Sequence, residues 1–177
     1  ACNIQATQNF TVNVIGPDTP VVNVNGPLCA GGDISLSANA TGATSYSWTG
    51  PNAFSSNQQN PTINNVTAAD GGTYSVEASG AGCTTDPVTV NVTVNPNPVI
   101  TNIDTTDVPC GGTSGSADIT VSSGTAPYTF DLGGGQNNAT GQFPTLSPGT
   151  YNLTITDDNG CEVQSSFTIG PDTCCAM

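Results

Sequence analysis

The sequence has 177 residues and a mass of 17.7 kDa, so at roughly 100 to 150 residues per domain it holds one domain or two small ones with modest cores. It contains no Lys, Arg or His against 13 Asp plus Glu, a formal net charge of −13. Without basic side chains it cannot neutralise phosphates or dock on an anionic membrane face, which excludes nucleic acid as a partner and removes the usual parts of acid–base and nucleophilic catalysis.

Strand-like alternation appears in chain order at Phe10–Ile15, Asp33–Ala38, Ser45–Trp48, Thr73–Glu77, Val88–Val94, Ala117–Val121, Tyr128–Asp131, Thr150–Thr156 and Ser166–Ile169. Gly, Pro and Asn clusters separate these runs, and 21 Gly with 13 Pro leave no window for an apolar helical repeat. The prediction is all-β. No apolar run reaches transmembrane length, so no membrane insertion is expected, and with no signal peptide in sight the chain reads as mature or as an excised fragment.

An internal repeat organises these strands. Gly72-Thr73-Tyr74 recurs as Gly149-Thr150-Tyr151, an offset of 77; Gly82-Cys83 recurs as Gly160-Cys161, an offset of 78; Cys29-Ala30-Gly31-Gly32 recurs as Cys110-Gly111-Gly112, an offset of 81. Two tandem immunoglobulin-like β-sandwiches are expected, 18–95 and 96–172, joined at the stiff Pro96-Asn97-Pro98, with 173–177 as a C-terminal tail. Residues 1–17 have their own echo, because Gly16-Pro17-Asp18-Thr19 recurs as Gly170-Pro171-Asp172-Thr173, an offset of 154. They read as the last strand of a preceding sandwich. A lone strand cannot pair its backbone or bury Phe10, Val12 and Val14 by itself, so residues 8–15 are expected to act as a donor strand for a neighbouring copy.

Asp70-Gly71-Gly72-Thr73-Tyr74 has the form of a tyrosine corner, and Ser147-Pro148-Gly149-Thr150-Tyr151 is its counterpart, so Asp70, Tyr74 and Tyr151 are structural candidates. Trp48 is expected in the core. The seven cysteines point to an oxidising, extracellular compartment. Cys29 precedes the first core strand and Cys83 follows the strand of Tyr74, which would bring both to one end; Cys29 is therefore paired with Cys83 and, by the repeat, Cys110 with Cys161. Cys2, Cys174 and Cys175 remain for intermolecular bonds. A zinc site lacks His and paired C-x-x-C spacing, so no metal is assigned. Asp157-Asp158-Asn159-Gly160 reads as a calcium loop or as a strand-connecting turn, the turn being preferred. A two-carboxylate glycosidase survives only formally, so no catalytic residue and no cofactor is assigned. Six N-linked sequons, at Asn9, Asn39, Asn65, Asn91, Asn138 and Asn152, follow from a sequence rich in Asn and Thr.

Residues 18–95, through Cys29-Ala-Gly-Gly, the Trp48-Thr-Gly-Pro-Asn-Ala-Phe54 segment, Gly-Thr-Tyr and Gly-Cys, resemble the Ig-like or PKD-like repeats of large Bacteroidota surface proteins. Residues 98–170, through Cys110-Gly-Gly-Thr-Ser-Gly-Ser116, Gly124-Thr-Ala-Pro-Tyr128, Leu146-Ser-Pro-Gly-Thr-Tyr151 and Asp157-Asp-Asn-Gly-Cys161, resemble the SprB repeat of gliding and adhesion proteins. The resemblance implies secreted, non-catalytic sandwiches of the bacterial cell surface. Asp104-Thr105-Thr106 is similar to the O-glycosylation motif of Bacteroidota, making Thr105 a candidate for glycan modification. The expected function is an extracellular structural subunit whose partners are copies of itself, added head to tail into a filament or array. The alternative is a stalk segment of a large adhesin. Carbohydrate binding through Trp48 or Tyr46 is a third class.

Overall fold

A computed structural model describes residues 15–172 and Cys174. The chain order is β1 (Val21–Val24), β2 (Leu28–Cys29), β3 (Ile34–Asn39), β4 (Ser45–Thr49), β5 (Ser55–Ser56), β6 (Thr62–Ile63), a 3-10 turn (Ala68–Asp70), β7 (Gly72–Gly80), β8 (Cys83–Thr84), β9 (Val88–Val92), β10 (Val94–Asn95), β11 (Val99–Thr106), β12 (Gly115–Ser122), β13 (Thr129–Asp131), β14 (Asn137–Asn138), β15 (Gln142–Leu146), β16 (Gly149–Thr156) and β17 (Glu162–Ile169). The fold is all-β and immunoglobulin-like. No α-helix occurs among the described residues.

Contacts divide the described chain into two units, 15–24, 35–62 and 73–91 in one, and 25–34, 63–72 and 92–172 with Cys174 in the other. The division does not follow the expected border at residues 95 and 96. The predicted linker is not a free spacer either: Pro98 is fully buried, and Asn97 Nδ2 donates to Ala30 O at 3.0 Å.

In the first unit, β3 lies between β1 and β6, while β4 lies between β5 and β7, and β7 also carries β8 and β9. Strand geometry turns alternate side chains to opposite faces. Leu36 and Ala38 on β3, Trp48 on β4, and Tyr74, Val76 and Ala78 on β7 are all buried. Trp48 is 0 % exposed and stands opposite Val76 in the β4–β7 register. The Trp48–Phe54 segment makes a tight reversal in which Gly50 N–H donates to Phe54 O and Phe54 N–H to Pro51 O, both at 3.0 Å. Phe54 then meets Tyr74 edge-on, with ring centroids 5.6 Å apart.

A Cβ on Gly50 would run into the Tyr74 ring. The Gly50→Ala substitution is therefore expected to destabilise this unit by about 1 to 3 kcal/mol, the usual cost of overpacking a filled core. Urea unfolding followed by Trp48 fluorescence measures it, and an unchanged midpoint would refute the contact.

In the second unit, β11-β12-β15 faces β14-β13-β16-β17, and β2 pairs in parallel with β10. Ala117, Ile119, Phe130, Phe143, Leu146, Leu153, Ile155 and Ile169 fill the core between the larger sheets. β15 contains Pro144 and among the described residues pairs only with β12, an edge position that tolerates a residue lacking N–H.

Candidate functional site: a covalent clasp and a terminal latch

The turn between β16 and β17 is organised by one side chain. Asp157 is 5 % exposed; its Oδ2 accepts the Thr125 N–H, and its Oδ1 accepts the N–H groups of Asn159 and Cys161, each at 2.9 Å. Asn159 Nδ2 donates to Thr125 Oγ1 at 2.7 Å, and Asp158 N–H donates to Thr125 O at 2.9 Å. Both Asp157 oxygens accept backbone donors, and the segment forms the strand-connecting turn between β16 and β17. Asp157 also fixes Cys161, which is 1 % exposed and disulfide-bonded to Cys29 with Cα atoms 5.5 Å apart. Cys29 sits opposite Asn95 in the parallel β2–β10 pair, and Ala30 N–H donates to Asn95 O at 2.8 Å. The bond thus ties the segment 25–34 to the β16–β17 turn inside one unit.

A second disulfide joins Cys110 to Cys174, with Cα atoms 5.2 Å apart. Asp172 lies beside it: Oδ2 accepts the Gly111 N–H at 3.0 Å and Oδ1 accepts the Cys174 N–H at 2.9 Å. Cys110, Asp172 and Cys174 are the grouping of metal-type ligands among the described residues. Its two sulfurs are consumed by the disulfide, which leaves one carboxylate.

The Cys174 and Gly111 N–H groups hold the Asp172 carboxyl below its ordinary range. A carboxyl whose folded value is lowered stabilises the folded state at pH above its ordinary value, and that contribution is lost as pH falls through the lowered value. On acidification the Gly111 and Cys174 amide resonances are expected to shift together with a midpoint below that of an ordinary Asp. Asp172→Asn should abolish the shared titration; if it persists, the contact is refuted.

The predicted pairs Cys29–Cys83 and Cys110–Cys161 do not form, for a reason of strand direction. β4 follows β3 through a tight turn and runs antiparallel to β7, so β3 and β7 point the same way. The cysteine before β3 and the cysteine after β7 therefore lie at opposite ends. The same logic applies to β12, β13 and β16. Val108 N–H bonds Gly170 O beyond the end of β17, while Cys161 stands before its start. Eight strand residues, roughly 26 Å at 3.3 Å each, separate the places of Cys110 and Cys161 along β17. A disulfide spans less than about 7 Å between Cα atoms. Cys83 is exposed and unbonded. Cys174, expected in an intermolecular bond, is held within the chain.

Residues 17–92 match the immunoglobulin domain model, and residues 102–137 match the SprB repeat model. The chain carries an immunoglobulin domain followed by a SprB repeat. No curated protein matches the sequence. Among solved structures, the N-terminal eight Ig domains of Down Syndrome Cell Adhesion Molecule align with a TM-score of 0.60 at 17 % identity, over 81 % of this chain and 26 % of that one. The C-terminal 282-residue fragment of intimin, solved with the intimin-binding domain of its translocated receptor, aligns with a TM-score of 0.54 at 12 % identity, over 87 % of this chain and 64 % of that one. At these identities the likeness shows the fold alone.

In the immunoglobulin domain, Asp70 Oδ2 accepts Thr67 N–H and Thr67 Oγ1–H at 2.8 Å each, closing the 3-10 turn that delivers buried Tyr74. In the second unit, Tyr151 Oη donates to Ser147 O at 2.9 Å, reaching back across the turn before β16. Tyr46 is half-buried and its Oη accepts the Ala40 N–H at 3.1 Å, while Trp48 is fully buried and offers no ring face for a sugar. Thr105 is exposed on β11 opposite Ala117. An open cleft of about 380 Å³ beside it is lined by Asp104, Asp118, Thr140 and Phe143 among others. Phe10, Val12, Val14, Cys2 and Cys175 lie outside the described residues. Asp157 as a turn anchor is the functional residue that sequence reasoning underused; the Asp-x-Asn-Gly pattern, in which a carboxylate bonds the N–H two residues on, is its signal.

The SprB repeat marks a protein of surface or adhesin type, and two disulfides fit an extracellular setting. No helix among the described residues is long and apolar enough to cross a membrane.

Proposed function

We propose that this chain is a non-catalytic structural unit of an extracellular surface assembly, and that copies of it add head to tail into a filament or array. The Cys29–Cys161 bond carries the structural part of this reading: within one unit it fastens the segment 25–34 to the turn before β17 across 132 residues of sequence. Such a bond suits a part that bears load and serves no evident chemical step. Support for strand addition comes from β1, which among the described residues pairs only with β3 and leaves Val21 65 % exposed. A sheet edge of this kind accepts an extended segment through main-chain hydrogen bonds. Residues 8–15, with Phe10, Val12 and Val14 on alternate positions, supply such a segment. A head-to-tail contact of this type is heterologous and generates open filaments.

One observation favours the stalk reading instead: each unit already holds its own final strand, β9 in one and β17 in the other. Negative-stain electron microscopy of the oxidised chain, beside a variant beginning at Asp18, separates the two. Filaments from the full chain and single rods from the shortened one support strand addition; filaments from both overturn the role of residues 8–15, and rods from both favour the stalk. Intact mass on the same samples decides whether Thr105 or any sequon carries glycan.

A further inference from the structure

Cys83 and Cys161 hold the same place in their sandwiches. Each is preceded by Gly in the turn that follows the strand of Tyr74 or Tyr151, Cys83 beginning β8 and Cys161 standing directly before β17. Gly80 pairs with Cys83 across one turn, and Thr156 pairs with Glu162, the neighbour of Cys161, across the other. The surroundings match as well. In the first unit Pro17 lies on Gly42 in the turn after β3, where a Cβ on Gly42 would stand 3.6 Å from Pro17 Cα. In the second, Pro98 lies on Gly124 in the turn after β12, where a Cβ would stand 3.1 Å from Pro98 Cα. Both glycines have positive φ, 80° and 76°. The chain entering the first sandwich passes close to Cys83, since a Cβ on Gly16 would stand 2.8 Å from Cys83 Cβ.

These two entry points differ in one respect. Cys161 is buried and bonded to Cys29 of the earlier Cys-Ala-Gly-Gly loop, whereas Cys83 is exposed and unbonded. The cysteine that corresponds to Cys29 on the SprB repeat is Cys110, in Cys110-Gly111-Gly112. In both loops the second glycine closes a short turn, Gly32 N–H to Cys29 O at 3.1 Å and Gly112 N–H to Pro109 O at 2.8 Å. Cys110 and its partner Cys174 are both exposed, so their bond is open to attack by a thiolate, while Cys161 is shielded.

We propose that Cys83 is the receiving half of a second clasp, bonded by Cys110 of a preceding copy of this chain. The joint between copies would then repeat the Cys29–Cys161 joint within one copy, a step that rests on the head-to-tail reading above. The chemistry is thiol–disulfide exchange. The Cys83 thiolate attacks Cys110 Sγ of the preceding copy, the Cys83–Cys110 bond forms, the Cys110–Cys174 bond breaks, and Cys174 leaves as a thiolate that takes up the proton. One disulfide replaces another, so no oxidant is consumed.

The test mixes equal parts of oxidised unlabelled and 15N-labelled chain at mildly alkaline pH, quenches with iodoacetamide, and resolves the products by non-reducing electrophoresis. Proteases directed at Asp or Glu replace trypsin, which has no site in this sequence. A ladder of covalent oligomers is expected, with an isotopically mixed peptide joining Cys83 to Cys110 and Cys174 newly alkylated. The ladder should fall to background in Cys83→Ser, whose circular dichroism should match the parent because Cys83 is exposed and unbonded. Full alkylation of Cys83, or its bonding to Cys2, Cys175 or another Cys83, overturns the proposal. Filaments with Cys83 alkylated overturn the second clasp and leave head-to-tail assembly standing. Cys83–Cys110 dimers without filaments leave the clasp standing and overturn growth into a filament, and the absence of both oligomers and filaments overturns the two together.

Discussion

Asp157→Ala is expected to lower the stability of the second sandwich by about 3 kcal/mol or more. The carboxylate satisfies three backbone N–H groups, those of Thr125, Asn159 and Cys161. Hydrogen bonds to a charged group contribute roughly 1.5 to 3 kcal/mol each, and a buried donor left without a partner costs roughly 1 to 3 kcal/mol. The Thr125 and Asn159 bonds are part-buried and recover some of this from water, whereas the Cys161 bond is buried and does not. Asp157→Asn keeps the shape and one acceptor oxygen but turns an NH₂ group toward a backbone donor, so a loss of about 2 kcal/mol is expected. Trp48 lies in the first unit and reports on the wrong region; amide resonances of β16 and β17 followed through a urea titration measure the effect where it arises. Losses below about 0.5 kcal/mol in both variants, the range of ordinary surface substitutions, would mean that the turn does not depend on Asp157.

The fold was legible because the strands alternate and the sequence repeats itself. Ile34, Leu36 and Ala38 mark β3, and Leu153 and Ile155 mark β16, each by a period of two that places them on one buried face. Elements without that signal were missed. β11 runs Val-Ile-Thr-Asn-Ile-Asp-Thr-Thr with mostly exposed positions, and β2, β5, β6, β8 and β14 have two residues each. Their pairing is fixed by neighbouring strands and not by their own side chains. The cysteines fail for a different reason. The repeat identifies Cys29 with Cys110 and Cys83 with Cys161, but correspondence between repeats says nothing about whether a bond lies within one repeat or crosses from one to the next. Only the common direction of β3 and β7 decides it, and direction is a property of the assembled sheets. Asp157 stood in plain view as an acidic turn; what the sequence withheld was that Thr125, 32 residues away, would close over the same carboxylate.

Removing the Cys29–Cys161 bond is expected to have the largest effect of any substitution at the site. The cysteines are 132 residues apart, and closing a loop of that length in the unfolded chain is worth about 5 kcal/mol in the chain-entropy model. Cys110–Cys174 closes 64 residues and is worth about 4 kcal/mol on the same scale. The two bonds differ more in what they join than in this magnitude. Cys110–Cys174 ties Cys174 to the loop before β12, whereas Cys29–Cys161 ties the segment 25–34 to the β16–β17 turn, both within one unit. The paired change Cys29→Ser with Cys161→Ser, which adds no unpaired thiol, should therefore lower the melting temperature and also speed amide hydrogen exchange in the segment 25–34 and in the β16–β17 turn, because both lose their covalent tie. The matching control, Cys110→Ser with Cys174→Ser, should lower the melting temperature while leaving exchange in those two places unchanged. If the first pair leaves that exchange unchanged, the clasp is not what holds these segments, and the role in bearing load assigned to it falls. If exchange speeds up there, backbone hydrogen bonds alone do not keep the two segments closed, and the covalent bond is what resists their separation.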